Sequence, residues 1–159
     1  MTTSLTFVQF LRTLPECVWS HLPPAWPRLQ VRQPWQQIIQ FYDAAPTLHY
    51  EVAGAWQHPG LELGLHFEAR DSAVNARLLT TVQRHLVEIK HLLGPHIEAE
   101  PWDRGWTKVY EVIPLEAYTP TTQMAVGARL AAWIQCLHPL LPELSGNSRR
   151  PGSRLKPQA

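Results

Sequence analysis

Two His-x-Glu triplets, His49-Tyr50-Glu51 and His66-Phe67-Glu68, stand out as residues whose types and spacing could do chemistry. Imidazole nitrogens and carboxylate oxygens are ligands for zinc, iron or manganese, and a His beside a Glu is also an acid/base pair. Residues two apart on a strand point to the same face. Each triplet therefore sends its His and Glu to one side and its aromatic ring to the other. If the two strands form a hairpin, all four polar side chains share a face. Two registers allow this: one sets His49 across from Glu68 and Glu51 across from His66, the other sets His49 across from His66. Cross-strand neighbours lie about 5 Å apart, within reach of a shared cation. The competing reading is a solvated sheet face on which His–Glu pairs only help to set register.

The elements that must position these residues follow from periodicity. Leu48, Tyr50 and Val52 alternate with His49, Glu51 and Ala53, and Leu61, Leu63, Leu65 and Phe67 alternate with Glu62, Gly64, His66 and Glu68. Both are half-buried strands, joined by a loop over residues 54–60. Residues 4–21 predict helix, capped by Ser4 and split in two by Pro15. Residues 21–34 contain Pro23, Pro24, Pro27 and Pro34, which predicts an extended wrap with a short edge strand at Leu29 and Val31. Residues 35–42 fit either helix or strand. Asp71 opens one long helix that ends at Gly94-Pro95. Residues 97–100 and 107–113 predict a second hairpin turning at Asp103-Arg104-Gly105. A last helix, capped by Thr121 or Thr122, ends at Pro139 and Pro142. The class is α+β: an antiparallel sheet of two or more hairpins, with a long central helix and N- and C-terminal helices packed mainly on one face. Residues 1–144 form a single domain, of which 1–34 are the N-terminal helix and Pro-rich wrap.

The remaining polar residues bear on function mainly by exclusion. Glu98, Glu100, Asp103 and Glu111 add acid to the second hairpin, which predicts an acidic, His-containing outer face that suits a basic partner or metal and repels a phosphate backbone. Glu98, Glu100 and Lys108 could converge as in a metal-dependent nuclease, but Glu-x-Lys on a strand is missing. His85, Glu88 and His91 step by three along the long helix and read as a solvated face, because His-Glu-x-x-His is not present. G-x-S-x-G, P-loop and G-x-G-x-x-G patterns are also missing.

The 159 residues carry 45% hydrophobic and 17% charged side chains, a folded composition. The net charge of +1 divides unevenly. Residues 145–159 hold Arg149, Arg150, Arg154 and Lys156 and no acid, a basic tail that could touch nucleic acid weakly, while the rest of the chain sums to −3. Cys17 and Cys136 have no Cys-x-x-Cys partner and read as reduced thiols, a Cys17–Cys136 bridge being the alternative. The first eleven residues hold no Lys or Arg ahead of their apolar residues, and no stretch has a membrane-spanning length, so a cytoplasmic chain without membrane contact is expected. Of seven Trp residues, Trp19 and Trp133 fall in helical core positions. Trp56, Trp102 and Trp106 fall in hairpin loops, where they would serve as partner contacts.

From Leu61 onward the chain resembles a bacterial domain of unknown function found at the C-terminus of restriction-endonuclease-like proteins. The residues that carry the resemblance are LELGLHFEARDSAVNARLL, VEIKHLLGPHIEAEPW and WTKVYEVI. It implies an accessory domain in a defence or DNA-processing setting and transfers no catalytic residue. The sequence thus predicts an interaction or accessory module, acting on a protein partner or on a second copy through the acidic face and the Trp-bearing loops. The alternatives are a metal-dependent hydrolase using His49, Glu51, His66 and Glu68, and a small-ligand sensor with an aromatic pocket.

Overall fold

The computed structural model describes residues 3–55 and 59–141. Six strands form one antiparallel sheet, β1 (Gln30–Trp35), β2 (Ile38–Tyr42), β3 (Leu48–Gly54), β4 (Leu61–Phe67), β5 (Glu98–Pro101) and β6 (Thr107–Ile113), in the order β1-β2-β3-β4-β6-β5. Strands β1 to β4 are a meander. The chain then crosses through α2 (Ser72–Arg84) and α3 (Leu86–Leu93) and returns as the β5–β6 hairpin, which adds β6 beside β4. Helices α1 (Phe7–His21) and α4 (Pro120–Leu137) complete the α+β arrangement.

Alternation along the strands decides which side the helices cover. Ile39, Phe41, Tyr50, Val52, Leu61, Leu63, Leu65, Phe67 and Val109 are all buried on the apolar face. They join Phe10, Leu11, Leu14 and Val18 of α1 and Val126, Leu130, Trp133, Ile134 and Leu137 of α4 in one core. The two helices approach closely at Gly127, where a Cβ would lie 2.6 Å from the Cys17 Cβ. Gln123, buried between them, donates to the Phe10 carbonyl at 2.7 Å and to Thr13 Oγ1 at 2.6 Å. The Cys17 and Cys136 thiols are free and half-buried, and burial, the largest cause in each case, raises both pKa values.

Several sequence expectations need correction. Pro15 does not split the first helix: α1 runs through it. Proline costs about 3 kcal/mol in a helix interior, and burial of the four core residues of α1 outweighs that. Thr6, not Ser4, is the N-cap, in a capping box with Gln9. The single long helix after Asp71 is two helices, broken at His85, whose amide bonds to the Val82 carbonyl in a tightened turn. No proline or glycine forces this break. Helix α4 is capped by Thr119 rather than Thr121 or Thr122, with Pro120 in the first helical position where its missing N–H costs nothing. Residues 35–42 are strand and turn: Trp35 ends β1, and β2 starts at Ile38. Strand β5 begins at Glu98, leaving Ile97 as a buried core residue. Its turn to β6 uses left-handed backbone at Arg104 (φ 59°) and Gly105 (φ 75°).

Glu111 is also placed differently from expectation. It faces the helices, where Arg129 donates to both of its oxygens, at 2.5 and 2.8 Å, and Trp133 Nε1 donates to Oε1 at 2.9 Å. Residue parity explains this, because Glu111 is paired with Leu63 of the apolar face. Trp56 and residues 145–159, with Arg149, Arg150, Arg154 and Lys156, lie outside the described residues. Among the described residues no helix is long and apolar enough to cross a membrane.

Candidate metal centre on the polar sheet face

Pairing of β3 with β4 sets His49 opposite His66, Glu51 opposite Gly64 and Ala53 opposite Glu62. Of the two registers open to the sequence, this is the one with the imidazoles face to face. The rings stack with centroids 5.3 Å apart and planes inclined by 26°. Glu68, just past the end of β4, continues the same face. His49, Glu51, His66 and Glu68 each offer a donor atom, and the four atoms lie within 4.8 Å of one another. Tetrahedral ligands 2.0–2.2 Å from a zinc ion lie about 3.3–3.6 Å apart, so side-chain movements of up to about an ångström would draw the four donors onto an ion. No other grouping of three or more His, Cys, Asp or Glu residues with such geometry occurs among the described residues.

The site is withdrawn from water, contrary to a solvated sheet face. His49 is fully buried, His66 is 2% exposed and Glu51 9% exposed. Trp102, from the β5–β6 connection, packs edge-on against His66 at 5.8 Å. His49 Nδ1 lies 2.6 Å from the Pro46 carbonyl. A carbonyl only accepts, so Nδ1 is the donor and Nε2 is the atom presented to the carboxylates, the second-shell arrangement typical of metal-ligating histidines. That Nε2 lies 3.2 Å from Glu51 Oε2 and 4.0 Å from Glu68 Oε1. His66 Nδ1 lies 3.4 Å from Glu68 Oε1, and its Nε2 lies 3.9 Å from Glu51 and 3.8 Å from Glu62.

Electrostatics sharpen the picture. Burial by itself would raise the Glu51 pKa. In the metal-free protein, hydrogen bonds from a protonated His49 and from Gln40, together with the charge both histidines carry when protonated, outweigh it and hold Glu51 at about 2. Gln40 Nε2 donates to Glu51 at 2.8 Å and is itself held by Arg32 through its carbonyl oxygen, at 2.6 Å. Glu51, Glu62 and Glu68 are three carboxylates with side chains less than a fifth exposed. Lys108 is the one ammonium among them, bound to Glu62 at 2.7 Å. With neutral imidazoles the cluster carries two uncompensated negative charges, costly at this depth. Two protons on the histidines would cancel them, but would set two imidazolium rings in a stack. One divalent cation cancels them without that repulsion.

The other sequence candidates are placed elsewhere. Glu98 and Glu100 are exposed on the edge strand β5, where Glu100 accepts from the Tyr110 hydroxyl at 2.9 Å. Lys108 faces Glu100 in the register but turns to Glu62, so a Glu98–Glu100–Lys108 centre does not assemble. Trp106 packs on Trp102, 5.5 Å between centroids. Glu88 is 78% exposed, with His85 3.6 Å away, in keeping with a solvated helix face. Gln40, Glu62 and Lys108 are the neighbours that sequence reasoning left out of the site. Glu62 was within reach, since it shares the parity of His66 and Glu68. Gln40 and Lys108 arrive from strands whose order only the fold supplies. No family model, curated protein or solved structure matches this chain.

Proposed function

We propose that this chain is a divalent-metal-binding domain whose centre is the buried set His49, Glu51, His66 and Glu68. The observation that carries the reading is the convergence of four donor atoms within 4.8 Å, three of the four residues being buried. Two imidazoles and two carboxylates suit zinc, manganese or iron. His49 would be the anchoring ligand, its tautomer set by Pro46, and Gln40 would orient Glu51. When bound, the ion would supply Lewis acidity toward a ligand in the adjoining cleft. A hydrolase is the catalytic form of the same reading. An accessory place beside a DNA-processing enzyme is compatible with it.

The interaction-module reading rests on less surface than the sequence suggested, because the His/Glu part of the polar face is withdrawn from solvent. The acid left open to a partner on the second hairpin is chiefly Glu98, Glu100 and Asp103.

The test is metal analysis of protein purified without a polyhistidine tag, followed by titration of the stripped protein with zinc and manganese. About one ion per chain is expected, with a rise in melting temperature that disappears in His49→Ala. At a hundredfold excess over Kd, binding stabilises by about 2.7 kcal/mol, several degrees in a domain of this size. No bound ion and no thermal shift with either metal would sink the reading.

A further inference from the structure

A cleft beside the tetrad has features that metal binding leaves unused. The register sets Trp35 opposite Ile38, Ile38 opposite Ala53 and Ala53 opposite Glu62, a row running across four strands. Ala53, Gly54 and Ala55 bring little side-chain volume to this row. A hollow of about 760 Å³ remains over them, within the range of small-molecule sites. Two indoles line it, Trp35 at 71% exposure and Trp102 at 38%. Exposed indoles bordering a hollow offer flat apolar surface with a polar edge, the kind of surface that serves as a contact.

The ionisable lining is Glu51, Glu62, His66 and Lys108, with the amides Gln36 and Gln37 at the Trp35 end. Glu51 and His66 belong also to the metal set, so an ion held there borders the cleft. Lys108 is the only Lys or Arg among the lining residues, and its Nζ lies 5.0 Å from the Trp102 ring centroid, 4.2 Å from that of Tyr110 and 2.7 Å from Glu62.

We propose that this cleft binds a small aromatic carboxylate, its ring against Trp35 and Trp102 and its carboxylate toward the metal ion and Lys108. The proposal rests on the metal reading above. Charge makes entry of an anion depend on the metal. Without an ion the three carboxylates Glu51, Glu62 and Glu68 stand against one ammonium and repel an anion. A dication on the tetrad cancels that excess, and an ion that takes more than four ligands, such as manganese, also offers a point of coordination. The two indoles select a flat, apolar body, and the volume restricts it to a small molecule.

The experiment uses salicylate as an aryl carboxylate and benzylamine as a cation of similar size. Metal content is established first by mass spectrometry on the loaded and the stripped protein. Salicylate is then titrated calorimetrically into both, and metal retention is checked after desalting. The expected result is binding to the loaded protein at least tenfold tighter than to the stripped protein, with the ion retained. Trp35→Ala, a change at an exposed position, is expected to weaken it about fivefold while leaving metal content unchanged. Four results overturn the proposal with the metal reading intact: a loaded protein that ignores salicylate, equal affinity with and without metal, extraction of the ion, or a preference for benzylamine. A protein that takes up no metal fails at the first step and removes both readings together.

Discussion

His49 and His66 sit directly opposite one another on β3 and β4, with their rings stacked 5.3 Å apart between Glu51 and Glu68. The two are not equivalent. His49 is fully buried and tied to Pro46, whereas His66 lines the cleft. Replacing His66 by Phe keeps a flat ring in the stack and removes a ligand. The expected outcome is loss of the zinc- or manganese-induced thermal shift with a metal-free melting temperature close to that of the parent. His49→Ala is expected to lose the shift and also about 2–4 kcal/mol of stability, by cavity formation and an orphaned carbonyl. Differential scanning fluorimetry with and without metal separates the two.

Glu51 gives the metal-free protein an acid dependence. Its folded pKa of about 2 lies below its ordinary 4.5. A depressed carboxylate stabilises the fold above the unfolded pKa and loses that contribution as pH falls through the folded one. Stability should therefore drop between pH 4.5 and pH 2, by on the order of 3 kcal/mol from this group. Urea midpoints across that range should show the drop in the parent and a flatter profile in Glu51→Gln.

The Glu111–Arg129 pair beneath the sheet is structural. Glu111→Ala strands the guanidinium and leaves Trp133 Nε1 without its acceptor. The expected loss is about 3 kcal/mol, the low end for a broken buried pair, because Arg129 still reaches solvent. Glu111→Gln keeps one acceptor and should cost less. Urea unfolding of the two variants checks the order.

Asn75 is fully buried and ties the start of α2 to the turn that carries Trp102. Its side chain accepts from the Ala69 amide at 2.8 Å and donates to the carbonyls of Ala69 and Gly105, at 2.9 and 3.0 Å. Asn75→Ala should cost about 3 kcal/mol through the orphaned groups. It should also change tryptophan emission as Trp102 loses its support against His66, which a fluorescence spectrum at native conditions would show.

Gly127 permits the close approach of α1 and α4. A methyl group there meets the Cys17 Cβ and backbone, so Gly127→Ala is expected to lower stability by about 1–3 kcal/mol through overpacking. That loss comes despite the better helix propensity of alanine. A melting temperature at or above that of the parent would contradict the packing.

Much of the fold was legible from local pattern. The β3 and β4 triplets obeyed parity because a strand has a strict period of two. The stops at Gly94 and Pro139 followed from backbone chemistry. What misled was local signal overruled by burial. Pro15 reads as a break, yet α1 continues because its buried face needs the whole length. The apolar stripe after Asp71 reads as one helix, yet the chain turns at His85. Trp35, Ile38, Ile39 and Tyr42 fit two periods, and only pairing with Ala53, Val52 and Tyr50 decided for strand.

The sequence by itself determined that His49 shares a face with Glu51 and His66 with Glu68, because alternation of side chains is a property of the strand and not of its neighbours. Tertiary structure decided the rest. Of two registers with equal parity, the one with the histidines opposed was chosen by the pairing of the whole β3–β4 ladder. Strand order brought Gln40 and Lys108 alongside, and Trp102 closed over His66. A polar face becomes a centre only when neighbours from distant segments remove the water from it, and those neighbours are set by the path of the chain through space.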